Sequence, residues 1–186
     1  MGFAIVILVI VVVAVLLLAG TYNRLVALRQ RANQAFADID VQLQQRHDLI
    51  PNLVETVKGY AAHESSTLEA VTAARAAAST AGSVEDKVKA ENMLTGALRQ
   101  LFAVAEAYPD LKANQNFLRL QDELGDVENK LAAARRFFNS AVGEFNAAIQ
   151  QFPAVLIAGA MGFSERTFFD VGEGRAAVSA APEVKF

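Results

Sequence analysis

The hydrophobic positions of this chain form one unbroken run followed by a long periodic pattern. Residues 3–20 read FAIVILVIVVVAVLLLAG, without a charged side chain. As a helix rising about 1.5 Å per residue, this run covers roughly 27 Å, close to the hydrocarbon thickness of a bilayer. Because a lone apolar segment satisfies its backbone groups in lipid only as a helix, we predict a single membrane span over 1–22, anchored by Phe3, Ile5, Ile10, Val15 and Leu18.

A cleaved secretory signal is the alternative interpretation of the same run. Signal peptides have a basic start and an apolar stretch of about 7–15 residues. Here only the amino terminus precedes the run, and the run is longer. The pair Ala19-Gly20 resembles a small-residue cleavage site, whereas the absence of cysteine excludes a lipoprotein. We favour a retained anchor.

The charges that flank the run predict its orientation. Arg24, Arg29 and Arg31 follow it, and the first acidic residue is Asp38. Since Lys and Arg near a span prefer the cytoplasmic side, we expect the N-terminus outside and the rest of the chain in the cytoplasm, below a bacterial inner membrane. These arginines also suit a solvated helix face or anionic lipid head groups.

Beyond the run, apolar residues recur every three or four positions, which is the period of an amphipathic helix. They are Leu25, Leu28, Ala32, Phe36, Ile39 and Leu43. This face lapses at Arg46 and His47 and resumes at Ile50. We predict one helix from the membrane to about residue 62, with a kink or break at Pro51, whose ring opposes a carbonyl one turn earlier.

Three more helices follow. An alanine-rich helix is predicted over about 66–80. Ser83 with Asp86 resembles a capping box at the start of a third helix, over about 84–107, which ends before Pro109. The fourth carries a heptad seam. Its members are Phe117, Leu120, Leu124, Val127, Leu131, Ala134, Phe138, Ala141, Phe145, Ala148 and Phe152.

This seam suits either a coiled-coil dimer or an antiparallel bundle, and its phenylalanines favour the bundle. We therefore predict an all-α fold, in which a transmembrane helix continues into an up-down-up-down bundle of about four long helices. The bundle occupies 23–163, and 164–186 forms a largely disordered tail.

An apolar stretch follows the fourth helix and is too short to span a bilayer. In the alternating arrangement the fourth helix ends near the membrane. We expect membrane-proximal or subunit contacts from this stretch, with a buried loop as the alternative. The candidate residues are Pro153, Leu156, Ile157, Met161 and Phe163.

The composition and the motifs argue against catalytic, metal-binding and nucleic-acid-binding sites. The net charge is −3, and neither Cys nor Trp is present. The only histidines are His47 and His63, without HExxH or zinc-ligand spacing. Gly-x-Ser-x-Gly, phosphate-binding glycine loops and a basic, aromatic-interleaved stripe are also absent. We predict no catalytic, cofactor-binding or metal-ligating residues and no nucleic-acid partner.

Three stretches together resemble the LemA family. They are ADIDVQLQQRHDLIPNLVETVKGYAAHE at 37–64, VAEAYPDLKANQNF at 104–117, and the ARxxFN…FN pattern within 134–152. Phe36 stands where that family often has Trp. The resemblance implies one N-terminal membrane helix, long cytoplasmic helices and no known catalytic activity. Relatives include magnetosome-membrane proteins of the MamQ type, and some members are encoded beside a membrane zinc protease or TPM-domain proteins.

The resemblance also draws attention to a polar signature. If the turn between the third and fourth helices lies at the far end of the bundle, its two parts would meet. They would then form either a hydrogen-bonded structural lock or a ligand or partner site. The residues are His47, Asp48, Pro51, Asn52 and Glu55 in the first part, and Tyr108, Asp110 and Asn114 in the second.

Our leading functional hypothesis is a non-enzymatic, membrane-anchored scaffold that contacts lipid, forms a homo-oligomer and organises membrane or recruits partners. The alternative is an adaptor or regulator of a membrane protease, of a TPM-domain protein or of an envelope signalling system. An enzyme with an unrecognised helical active site is the third possibility, and it lacks any convergent nucleophile, metal or phosphate device.

Overall fold

A computed structural model describes residues 1–169, and these residues are helical throughout most of their length. The helices are α1 (Gly2–Lys58), α2 (Ser65–Thr80), α3 (Val84–Ala105), α4 (Pro109–Lys112) and α5 (Gln115–Gln150), followed by a 3-10 turn at Ala154–Leu156. No strand occurs among these residues, so the predicted all-α class with one long apolar N-terminal helix is confirmed. The chain divides into two compact units.

The first unit contains residues 1–40 and 132–168. Its first twenty residues are exposed along their whole length, and burial begins at Leu25. From there α1 packs against the last part of α5 and the segment after it. The Phe36 and Phe138 rings meet with centroids 5.4 Å apart. A second cluster joins Leu25 to Phe145, Ala148, Ile149, Ala154, Ala158 and Phe163.

The second unit contains residues 41–131 together with Phe169. One apolar core gathers side chains from α1, α2, α3, α4 and the start of α5. The largest fully buried members include Ile50, Leu53, Leu94, Leu101 and Leu111. This core follows the three-and-four spacing of each helix, as expected for helices that bury one stripe each.

Pro51 does not break α1, which continues to Lys58. The proline is exposed, while its neighbours Ile50 and Leu53 are fully buried. Their burial supports the helix across the position where proline lacks an N–H. The helix ends four residues before the predicted residue 62, in turns where the N–H groups of Tyr60 and Ala61 both donate to the Val57 carbonyl.

The other predicted boundaries lie close to the observed ones. The Ser83 side chain caps α3 by accepting from the Asp86 N–H at 3.0 Å. The Asp86 carboxylate accepts from the Ser83 hydroxyl, so the cap differs from a full capping box. Pro109 interrupts the chain after α3 and occupies the first turn of α4, where a missing N–H is harmless.

The heptad seam of α5 is buried from Phe117 to Ala148, with Ala134 half-buried. Its last predicted member, Phe152, is 80% exposed. The reason is local, since α5 ends at Gln150 and Phe152 no longer lies on the helical face. The members of the seam are therefore buried or half-buried as predicted, except for the last one, Phe152.

Candidate functional site

The anchor segment of α1 has no protein packed against it. Phe3, Ile5, Ile10 and Val15 are each more than half exposed, and Leu18 is 38% exposed. A helix that is apolar on all faces and unpacked needs an apolar solvent. Within residues 1–169, α1 is the one helix long and apolar enough to cross a membrane.

The three arginines after the anchor have different surroundings. Arg24 is exposed. The guanidinium of Arg29 lies 5.0 Å from the centroid of the Phe163 ring, a cation–π distance. Arg31 forms a salt bridge with Glu144 at 2.7 Å. Arg29 and Arg31 thus also join α1 to the α5 end of the first unit.

The segment after α5 has a buried side and an exposed side. Phe163 is buried, and its ring meets Tyr22 edge-on with centroids 5.7 Å apart. Pro153 and Ile157 are half-buried. Leu156 and Met161 are exposed. The five predicted contact residues therefore divide between packing within the unit and an outer apolar surface.

The end of this segment is tied to α1 and α5. The Asn146 side chain donates to the Arg166 carbonyl and accepts from the Arg166 N–H, both at 2.9 Å. The Arg166 guanidinium donates to the Asn33 side chain at 2.7 Å and to the Arg29 carbonyl. Arg166, which lies in the predicted disordered tail, thus has four defined hydrogen bonds. Residues 170–186 of that predicted tail lie outside the described residues.

His47 belongs to a buried polar cluster in the second unit. Its Nε2 lies 2.7 Å from the Glu91 carboxylate. Arg46 donates to the other Glu91 oxygen at 3.0 Å and also reaches Thr95 and Glu128. The residues Arg46, His47 and Glu91 are all at most 5% exposed. Because buried charges are costly unless paired, this arrangement makes His47 a structural partner of Glu91.

Glu91 was missed in the sequence analysis, although the sequence carries a signal for it. It lies three residues before Leu94 on the apolar stripe of α3 that continues through Leu98 and Leu101. The apolar face of α1 is interrupted at Arg46 and His47, and these two residues are the partners of Glu91. An acid on one core stripe and a base on another predict a buried pair, but which stripes face each other is decided by packing.

The other signature residues of α1 lie on its surface. Asp48, Pro51, Asn52 and Glu55 are exposed. Asp48 accepts from the Gln44 side chain at 2.7 Å. The spacing 48, 52, 55 places the three polar side chains on one helical face. They form an exposed polar stripe, separate from the buried His47 side chain.

The second part of the signature contacts the α1–α2 connection and not the first part, contrary to the expectation from the sequence. The Tyr108 hydroxyl donates to the Glu64 carboxylate at 3.1 Å. The Asn114 side chain donates to the Tyr60 hydroxyl at 2.9 Å. These bonds join the α3–α5 connection to the α1–α2 connection rather than to the stretch from His47 to Glu55. Asp110 is exposed. The hydrogen bond to Glu64 raises the pKa of the Tyr108 phenol, and burial adds to the shift.

No group of three or more His, Asp or Glu side chains among residues 1–169 is arranged to hold a metal ion. The one buried histidine is engaged by a carboxylate. The described part of the chain has three exposed features: the unpacked apolar start of α1, the apolar segment after α5, and the polar stripe on α1.

Comparison with known proteins agrees with the sequence signature. The LemA family model matches residues 35–186. Magnetosome protein MamQ of Magnetospirillum gryphiswaldense is 26% identical over 174 aligned residues, which cover 80% of this chain and 64% of that protein. Magnetosome protein MamQ 2 of Paramagnetospirillum magneticum is 24% identical with the same coverage. Protein LemA of Metamycoplasma hominis is 28% identical over 138 residues, covering 72% of this chain and 61% of that protein. The chain thus spans less than two thirds of the length of these relatives.

Proposed function

Because this chain belongs to the LemA family, we propose that it is a membrane-anchored, non-enzymatic helical scaffold. It self-associates and organises membrane or recruits partners at the cytoplasmic face. The observation that carries this proposal is the continuity of α1, which runs without a break from an exposed apolar segment into buried helix packing at Leu25. Such a helix holds a protein body at a membrane surface.

The polar chemistry of the second unit supports a scaffold rather than an enzyme. Arg46 and His47 both contact the buried Glu91 carboxylate. A catalytic histidine needs access to a substrate, whereas His47 is 5% exposed. The cluster therefore serves helix packing in this proposal.

The orientation rests on Arg24, Arg29 and Arg31. Since the chain contains no cysteine, single-cysteine variants of the full-length protein report topology directly. Ser140→Cys lies on an exposed position of α5. In intact cells a membrane-impermeant maleimide should leave it unlabelled, and permeabilisation should expose it. Labelling in intact cells would reverse the proposed orientation while leaving the anchor in place.

Self-association is supported by an exposed face of small and apolar residues on α2 and α3. Ala70 and Ala73 of α2 line a shallow groove with Met93 and Gly96 of α3, and Met93 is 63% exposed. Small side chains allow helices of two copies to approach closely. This face is the proposed site of contact between copies.

Light scattering of the detergent-extracted full-length protein tests this part of the proposal. We expect a discrete multiple of the 20.0 kDa chain. Ala73→Glu should reduce the mass, because it places a charge in the groove. Ala103→Glu, at an exposed position of the same helix pair, is the matched control and should not. A monomeric wild type would contradict the scaffold.

The exposed stripe formed by Asp48, Asn52 and Glu55 favours an adaptor as the second candidate function. Polar side chains aligned on one helical face suit recognition by a partner such as a membrane protease or a TPM-domain protein. The test is purification of the full-length protein from its native membrane. A partner in fixed stoichiometry that is lost in Asp48→Ala/Glu55→Ala, and retained in the control Glu85→Ala at an exposed position of α3, would move the adaptor to first place.

A further inference from the structure

The outer surface of the segment after α5 is apolar and uncovered. Phe152 is 80% exposed, Leu156 72%, Val155 53% and Met161 42%. Residues 152–163 contain no charged side chain and none that forms strong hydrogen bonds. An exposed apolar surface of this kind marks a contact with a partner or a membrane.

The position of this segment next to the end of the span indicates that its exposed surface contacts the membrane. It packs on the first turns of α1 beyond the span, where Leu25 is 1% exposed in one cluster with Ala154, Ala158 and Phe163. Leu25 follows Gly20 by five residues, or about 7–8 Å along the helix axis. Head-group layers are of similar thickness. The segment is thus held at the level where the span leaves the hydrocarbon.

The surrounding residues fit the same level. Tyr22, at the edge of the span, contacts the Phe163 ring, and tyrosine is enriched at membrane–water interfaces. Arg24 is exposed one half-turn further on, and Arg29 lies over the Phe163 ring. Cationic side chains beside an apolar surface suit anionic head groups.

Most backbone N–H groups of the segment form hydrogen bonds within it, which suits a region poor in water. The N–H groups of Val155, Leu156 and Ile157 donate to carbonyls of residues 151, 153 and 154. Those of Met161, Gly162 and Phe163 likewise donate within the segment. Gly162 adopts a φ of 72°, which favours glycine, and closes the last turn. Irregular backbone enters apolar surroundings only when such groups are satisfied.

We propose that residues 152–161 form an interfacial membrane-docking segment, whose side chains at 152, 155, 156 and 161 insert into the head-group boundary beside the span. The occupant of this apolar surface is lipid. The proposal rests on the retained anchor of the proposed function. It adds a second attachment that restricts how the first unit tilts at the membrane, since a single helix leaves rotation and tilt free.

The absence of tryptophan allows a direct test. Full-length Leu156→Trp is placed in vesicles of phosphatidylcholine with phosphatidylglycerol, carrying bromine either near the head group or near the chain end. We expect a blue-shifted emission and loss of fluorescence with the shallow bromine, and little loss with the deep one. Phe152→Trp provides a second probe of the same surface.

Two control variants separate this proposal from the anchor itself. Val15→Trp, within the span and about 5 Å along the helix from its midpoint, should be quenched more by the deep bromine than by the shallow one. Leu118→Trp, exposed on α5, should be quenched by aqueous iodide and not by lipid. If Val15→Trp behaves as expected while both segment probes are quenched only by iodide, the docking segment is wrong and the anchor stands. Segment probes that neither quencher reaches would place a second copy on this surface and also overturn the proposal.

Discussion

At the scale of single residues, Glu91 is the one buried acidic side chain among residues 1–169. It is 1% exposed, accepts a hydrogen bond from Arg46, and has its other oxygen 2.7 Å from the His47 Nε2. Glu91→Gln leaves the Arg46 charge buried beside a neutral amide. Removing one partner of a buried ion pair costs about 3–5 kcal/mol. We expect a loss near the lower end of that range, because Arg46 keeps its contact with Glu128.

Chemical denaturation followed by circular dichroism, in one detergent throughout, measures this loss of unfolding free energy. Glu128→Gln is the matched control, since the Glu128 side chain is 45% exposed. Exposed pairs contribute about 0–1 kcal/mol. Equal losses in the two variants would show that burial of Glu91 does not determine the strength of the pair.

Tyr108 gives the second prediction at this scale. Its pKa is raised in the folded protein, chiefly because its hydroxyl donates to Glu64. The bond to the protonated phenol contributes its full stability below the unfolded tyrosine pKa of about 10. That contribution is lost as the pH rises through the higher folded pKa. Tyr108→Phe should therefore make stability less sensitive to pH above 10.

Tyrosinate absorbance of the folded protein provides the measurement. The difference between wild type and Tyr108→Phe isolates the titration of this phenol, and its midpoint should lie above the ordinary value. Tyr60→Phe is the control, because the Tyr60 hydroxyl accepts from Asn114. An ordinary midpoint for Tyr108 would show that the bond to Glu64 does not persist in solution.

At the scale of the element, α5 contains two adjacent phenylalanines with opposite surroundings. Phe138 is 1% exposed and Phe137 is 45% exposed. Truncating a buried phenylalanine to alanine costs about 3–5 kcal/mol. We expect Phe138→Ala to lose that much unfolding free energy. Phe137→Ala should lose about 1 kcal/mol, from its contact with the Arg31 guanidinium 5.6 Å from the ring centroid.

Thermal unfolding of the two variants side by side checks which face of α5 is buried. The substitutions are chemically identical and one residue apart, so helix propensity cancels in the comparison. A one-residue rotation of α5 would reverse the two losses. Such a reversal would contradict the heptad seam as the buried face.

At the scale of the whole molecule, the apolar span determines where the protein resides. Residues 3–20 contain fourteen Leu, Ile, Val or Phe side chains. At about 0.3–0.6 kcal/mol each, they favour insertion by roughly 4–8 kcal/mol. One arginine at the centre costs about 2.5–3.5 kcal/mol. Ile10→Arg should therefore remain inserted, whereas Ile10→Arg/Val13→Arg should lose stable insertion.

The fraction that stays with membranes after an alkaline wash measures this threshold. Val41→Arg/Tyr60→Arg is the control, since it adds the same charge at exposed positions outside the span. Retention of the double variant within the span would mean that residues after the span also hold the protein on the membrane. The proposed docking segment would be the first candidate for that role.

Sequence reasoning located some residues of the candidate sites and missed others. The resemblance predicts that Asp48, Asn52 and Glu55 meet the second part of the signature, whereas they form an exposed stripe. The anchor follows from local order along one helix. The partners of His47 and Tyr108 do not. Glu91 is 44 positions from His47, and Glu64 is 44 positions from Tyr108. Contacts of this separation depend on the rotation of one helix against another.

What the sequence determined by itself is what depends on neighbours along the chain. The span, the helical periods, the Ser83 cap and the buried seam of α5 all repeat within a few residues. The tertiary structure alone decided the pairing of Arg46 and His47 with Glu91, the continuity of α1 through Pro51, and the division of residues 152–163 into a buried and an exposed side. These depend on which helical faces meet, because burial offsets the lost proline hydrogen bond and the desolvation of paired charges.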